Sequence, residues 1–179
     1  MKTHYVRNFV ALILVLFWSG VCAAHNSLDD AAIFGIFDYA NAADIEIASL
    51  APSRGASTEV KELAKMVATD HQAVQQDIRA LAQKLAIAAP APDPASVKQH
   101  KDAMQSLKTK RGMEFDRAYL RHEVRFHQSV LNAIETKLLP AISNSEFKAL
   151  VSKILPGFRH HLDATRALAM KRGIELGSE

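Results

Sequence analysis

The stretch Val60–Leu85, VKELAKMVATDHQAVQQDIRALAQKL, decides the fold. Its apolar residues Val60, Leu63, Val67, Val74, Ile78, Leu81 and Leu85 step by three or four positions, the spacing that aligns side chains along one side of an α-helix. The stripe has a single gap, filled by Asp70 and His71. One helical face therefore carries polar chemistry at its middle.

Two later segments repeat the arrangement. Gly112 precedes a long helix predicted over 113–139, where Leu120, Val124, Leu131, Ile134 and Leu138 share a face, His127 takes the place between Val124 and Leu131, and Glu123 stands one turn earlier. A further helix over 146–171 presents Phe147, Val151, Ile154, Phe158, Thr165 and Leu168, with His161 where the stripe passes from Phe158 to Thr165. Ahead of all three, the short polar side chains of Asn26, Ser27 and Asp29 suit a helix start, and a first helix is expected over 30–50. Ile36, Tyr39, Ala43, Ile47 and Leu50 are read as its inner face, with Phe34 and Phe37 beside them and Glu46 at the edge; Pro52 and Gly55 end it. The Val60–Leu85 helix itself is expected from Ser57 to Ala88. The run AAPAPDP over 88–94 cannot be helical throughout and reads as a stiff linker, followed by a short amphipathic connecting helix over 95–108. Four long amphipathic helices, a crossover with its own short helix and no strand signal predict an all-α chain forming a four-helix bundle of two hairpins.

The N-terminus reads as a Sec signal peptide over 1–24. Lys2 and Arg7 give the positive region, Phe9 to Trp18 (FVALILVLFW) the apolar one, and cleavage is expected near Ala23 or Ala24. About ten apolar residues are too few for a bilayer, so no transmembrane helix is expected after cleavage, and the bundle domain spans 25–179. Loss of Lys2 and Arg7 takes the formal charge from +3 to +1, which leaves no basic cluster for nucleic acid. Cys22, the sole cysteine, leaves with the leader, which excludes thiol catalysis, disulfides and cysteine metal sites together. The expected address is the periplasm or the exterior.

If the three stripes align in one layer, the inventory is His71, His127 and His161 with Glu46, Asp70 and Glu123 close by. That donor set suits a single transition-metal ion: iron, copper, zinc or nickel. The plainer alternative is that the carboxylates only hold the rings and lock helix register in a non-catalytic envelope protein that meets another envelope protein or a second copy of itself. A di-iron carboxylate site is disfavoured, because no Glu in the chain has a His three residues on. No serine or cysteine nucleophile signature is visible, and the residues name no reaction. His122 is rotated away from His127, His100 is placed in solvent on the connector, Asp116 is read as a partner of its own helix dipole, and the Tyr119 hydroxyl is placed at the rim.

Glu46-Ile47-Ala48, the run Val60 to His71 with Asp70-His71, Gly112 with Phe115-Asp116 and Tyr119, Val124 with His127, and Leu155-Pro156 with His161 together resemble an exported bacterial family, domain of unknown function 4142, labelled a predicted outer membrane protein. The resemblance covers about 31–172. It implies a ferritin-like bundle outside the cytoplasm with Glu46, Asp70, His71, His127 and His161 as characteristic polar positions, and no established activity. The label fits the residues badly, since nothing here alternates like the strands of a barrel.

Overall fold

A computed structural model describes residues 28–176 and is all-helical; the expected leader and cleavage site lie outside the described residues. Five helices longer than two turns follow one another: α1 (Asp30–Ala48), α2 (Thr58–Lys84), α3 (Pro94–Lys108), α4 (Gly112–Ala133) and α5 (Ser145–Lys171). α1 lies along α2, α4 along α5, and α2 also meets α5, while α3 crosses over beside α1 and α4. None of these helices is long and apolar enough to cross a membrane.

Four of the five starts, all but that of α4, are set by a short polar side chain that accepts from an otherwise orphaned backbone N–H. Asp29 accepts from Ala32 N, Ser57 from Val60 N, Asp93 from Ser96 N and Asn144 from Phe147 N. The helix expected to run to Leu139 keeps α geometry only to Ala133, then widens into a π turn over Ile134–Leu138. Pro140 supplies the reason: it has no N–H to donate and its ring crowds the carbonyl four residues back, so the wider turn lets the chain continue. α5 runs on through Pro156.

Two carboxylates reach across the molecule to helix starts that are not their own. Asp30, at the head of α1, accepts from Ser143 N and Asn144 N just ahead of α5, both at 2.8 Å. Asp116, on α4, accepts from Ala56 N at 3.1 Å and Ser57 N at 3.0 Å just ahead of α2. The expectation that Asp116 serves its own helix is thus corrected. Its carboxylate is buried, and Arg172 stands 3.6 Å away. Replacing Asp116 by alanine would strand the buried Ser57 N–H and the part-buried Ala56 N–H and is expected to lower stability by about 1–3 kcal/mol, read by denaturant unfolding. Gly55 is part of the same joint: a Cβ there would sit 3.0 Å from both the Ala51 carbonyl and Asp116 Oδ1.

The apolar core falls into two clusters. One gathers Phe34, Phe37, Ile78, Leu131, Phe147 and Phe158. The other gathers Ile47, Val67, Phe115, Leu120 and Ala169. Between them each long helix contributes buried polar residues: Asn41 and Asp44 from α1, His71 from α2, Glu123 and His127 from α4, His161 and Thr165 from α5.

Candidate metal centre

α2, α4 and α5 place one imidazole each in this layer because the histidine takes the core-facing place that a leucine or valine takes one or two turns away. His71, His127 and His161 are all buried, and each offers a ring nitrogen within 4.8 Å of the other two. Their ring centroids stand 5.2–5.5 Å apart. His127 belongs to a second group as well, since Asp44, Glu123 and His127 offer donor atoms within the same 4.8 Å limit.

The hydrogen bonds around the rings decide what those nitrogens can do. The Asn41 amide is oriented by Nδ2, which donates to the Phe37 carbonyl at 2.7 Å, so its Oδ1 faces His71 and accepts from Nδ1–H at 2.8 Å. His127 Nδ1–H donates to the Glu123 carbonyl at 3.1 Å. His161 Nε2–H donates to Asp70 Oδ2 at 2.9 Å. A neutral imidazole has one N–H, so each ring has committed its proton outward and keeps a lone pair on its other nitrogen. The His71 and His127 Nε2 atoms face each other at 3.3 Å, and the buried Nδ1 of His161 has no partner.

Carboxylate oxygens crowd the same spot. Asp44 Oδ2 lies 3.0 Å from His71 Nε2 and 3.6 Å from His127 Nε2, yet neither Asp44 oxygen has a well-directed hydrogen bond. Glu123 Oε2 is 3.6 Å from His127 Nδ1, and both of its oxygens are likewise unsatisfied, as is the buried Tyr119 hydroxyl. The Tyr119 hydroxyl therefore lies inside the protein and not at the rim.

This concentration of acceptors shows in the titrations. Burial pushes the Asp44 carboxyl up, but the close contact with His71 outweighs it and holds it below its usual value. Burial, reinforced by the Asp44 charge, raises Glu123 well above the ordinary carboxylate range, so of the two acids Asp44 carries the charge and Glu123 the proton. Burial also pulls His127 down to about 4 and lowers His161, against the opposing pull of Asp44 and Asp70. Both rings are neutral at pH 7, the form that binds metals.

Of the six residues singled out from sequence, His71, His127, His161 and Glu123 meet in the layer, and Asp70 reaches it from outside: its side chain is 54% exposed and touches only the outer nitrogen of His161. Glu46 is not brought there. It lies on the outer side of α1, 62% exposed, with Oε2 2.8 Å from His100 Nε2, which also takes His100 out of solvent. The physical reason is helix phase. The inner face of α1 runs through Phe34, Phe37, Asn41, Asp44 and Ala48, with Ala43 and Ile47 buried as expected, whereas Ile36 is 42% exposed, so the buried face is centred about one residue from the one expected from sequence. Asn41 and Asp44 were missed for that reason. The signal that finds them is their place in the three-and-four stepping from Phe37 to Ala48.

None of the curated proteins and none of the solved structures compared with the chain is similar to it. The model of one family does match, over residues 19–168, nearly the whole chain and every residue of the polar layer. The chain therefore belongs to the family described as Domain of unknown function (DUF4142).

Proposed function

We propose that this chain is an exported protein of the bacterial envelope that holds one transition-metal ion in the polar layer of a ferritin-like four-helix bundle, serving metal binding, sensing or protection under stress. His71, His127 and His161 are its nitrogen ligands, Asp44 its first oxygen ligand, and Glu123 a further one once the ion displaces its proton. Iron, copper, zinc and nickel all suit such donors.

The single observation that carries the reading is the convergence of donors: three imidazoles, each held by an acceptor, bring ring nitrogens within 4.8 Å of one another, and those of His71 and His127 face an unsatisfied carboxylate. Acceptors do not gather in a dry interior unless something positive joins them. Asn41, the Glu123 carbonyl and Asp70 stand where outer partners of metal-bound histidines stand, fixing tautomer and ring orientation. A second reading has one observation in its favour. The 3.0 Å approach of Asp44 to His71 also suits a shared proton, in which case the layer is a buried ion pair that fixes helix register in a structural envelope protein.

Metal uptake separates the two. Protein stripped with chelator and dialysed against zinc, nickel, copper or iron is expected to retain one ion per chain by elemental analysis. At a hundredfold excess over Kd it should gain about 3 kcal/mol of stability, or roughly 5–10 °C in Tm. Asn41→Leu, which frees His71 Nδ1 from its acceptor, is expected to weaken binding by roughly 10–100-fold. A wild-type chain that retains no ion and gains no stability would leave the shared proton as the occupant. Export is checked by the mass of protein recovered from the envelope, expected to be shorter by the first 23 or 24 residues.

A further inference from the structure

The outer side of α1 carries the second feature with no structural duty. A groove of about 910 Å³ runs between α1, the 90–93 strap, α3 and α4. Its walls are apolar: Ala32, Ile36 and Ala40 from α1, Pro90 and Pro92 from the strap, Phe126 from α4. Few large apolar side chains are left exposed among the described residues, and two of them, Leu28 and Ile36, border this groove. A volume in this range is that of a small-molecule site.

The polar groups in the groove are as specific as its walls. His100 Nδ1 and His122 Nε2 are both buried and have no hydrogen-bond partner. Arg125 also lines the groove, and no carboxylate among the described residues pairs with it. The acids nearby are engaged elsewhere: Asp93 accepts from Ser96 N and Oγ at the start of α3, and Glu46 accepts from His100 Nε2. A carboxylate can only accept, so the His100 proton sits on Nε2 and Nδ1 presents a lone pair. What the groove lacks is therefore a group that offers a proton to His100 and accepting oxygens to Arg125, beside the unpartnered His122 Nε2, joined to a length of hydrocarbon.

A carboxylic acid on an alkyl chain has that make-up, and we infer that the groove between α1 and α3 binds a fatty acid, its head group at His100, His122 and Arg125 and its tail along Ile36, Ala40 and Phe126. The acid brings the proton that His100 Nδ1 accepts, and the resulting carboxylate faces a guanidinium with no other partner; no bond is made or broken beyond that transfer. An alcohol of the same length fills the walls equally well but leaves Arg125 unpaired. This site uses none of the metal-layer residues and stands or falls separately from it.

The test is a titration of the full chain with dodecanoic acid, followed by calorimetry and by displacement of a fluorescent polyene fatty acid. One saturable site per chain is expected. 1-Dodecanol should bind roughly tenfold more weakly or worse, and Arg125→Gln should lose a similar factor for the acid but not for the alcohol. Ala40→Trp, which fills the groove, should abolish binding of both; Arg125, being exposed, can be replaced without risk to the fold. Three results overturn the inference: no saturable binding to the full chain; equal affinity for acid and alcohol; or acid binding indifferent to Arg125→Gln and Ala40→Trp.

Discussion

A His127→Ala chain is expected to retain no zinc at concentrations that saturate the wild type, an affinity loss of at least a hundredfold. His127 is singled out because it alone belongs to both donor groups, with Nε2 toward His71 and Asp44 and Nδ1 on the Glu123 side. Loss of a partner behind a ligand costs roughly 10–100-fold in metal affinity, and loss of the ligand itself costs more. The substitution also opens space in a tightly packed interior, so part of the loss could reflect a weakened fold. His161→Ala separates the two effects. Its ring sits at the edge of the layer with Asp70 half in solvent behind it, so its removal disturbs packing less while still deleting one of three nitrogens. Both variants should lose binding while keeping helical circular dichroism. A His127→Ala chain that binds zinc as tightly as the wild type refutes the proposed ligand set.

The second large effect is on the pH profile of the metal-free protein. His127 titrates at about 4 in the folded chain and near 6.5 when unfolded. Between those values the unfolded state holds a proton that the folded state does not, so stability falls as pH drops from about 6.5 towards 4. His127 alone accounts for about 3 kcal/mol of that loss, and His161 adds to it in the same direction. Glu123 has the opposite sign. Its folded carboxyl is raised, so its contribution is complete below about pH 4.5 and is lost as pH climbs from there towards the raised folded value. In chelator, His127→Gln should therefore flatten the acid side of the profile by about 3 kcal/mol. Glu123→Gln, which keeps the shape and removes the ionisation, should make the metal-free chain more stable than wild type at pH 8. Denaturant midpoints between pH 4 and 8.5 measure both. An unchanged acid limb in His127→Gln would mean that its ring is not held neutral by burial.

The three histidines were legible in the sequence because α2, α4 and α5 are each apolar on one side only, so a polar residue within the stripe stands out. α1 is different. Ile36, Ala40 and Ala43 line the groove while Phe34, Phe37 and Ala48 face the core, so the helix is apolar on two sides and its phase cannot be read from composition alone. Asp44 and Asn41 were hidden by that ambiguity, and Glu46 was drawn in by it. The role of Asp116 was invisible for another reason, since its partners Ala56 and Ser57 lie 60 and 59 residues away and no local pattern encodes them. Helix starts were the most legible feature, because a cap is a local bond between a side chain and a backbone only a few residues on.

The carboxylates that cross between the halves have a consequence for how the chain comes together. Asp30 secures the entry of α5 and Asp116 the entry of α2, so neither pair of long helices owns everything needed to begin its second member. Cutting the polypeptide within 85–93 should consequently yield fragments that are poorly ordered apart and regain helicity when mixed, the behaviour of a single cooperative unit and not of two hairpins joined by a tether.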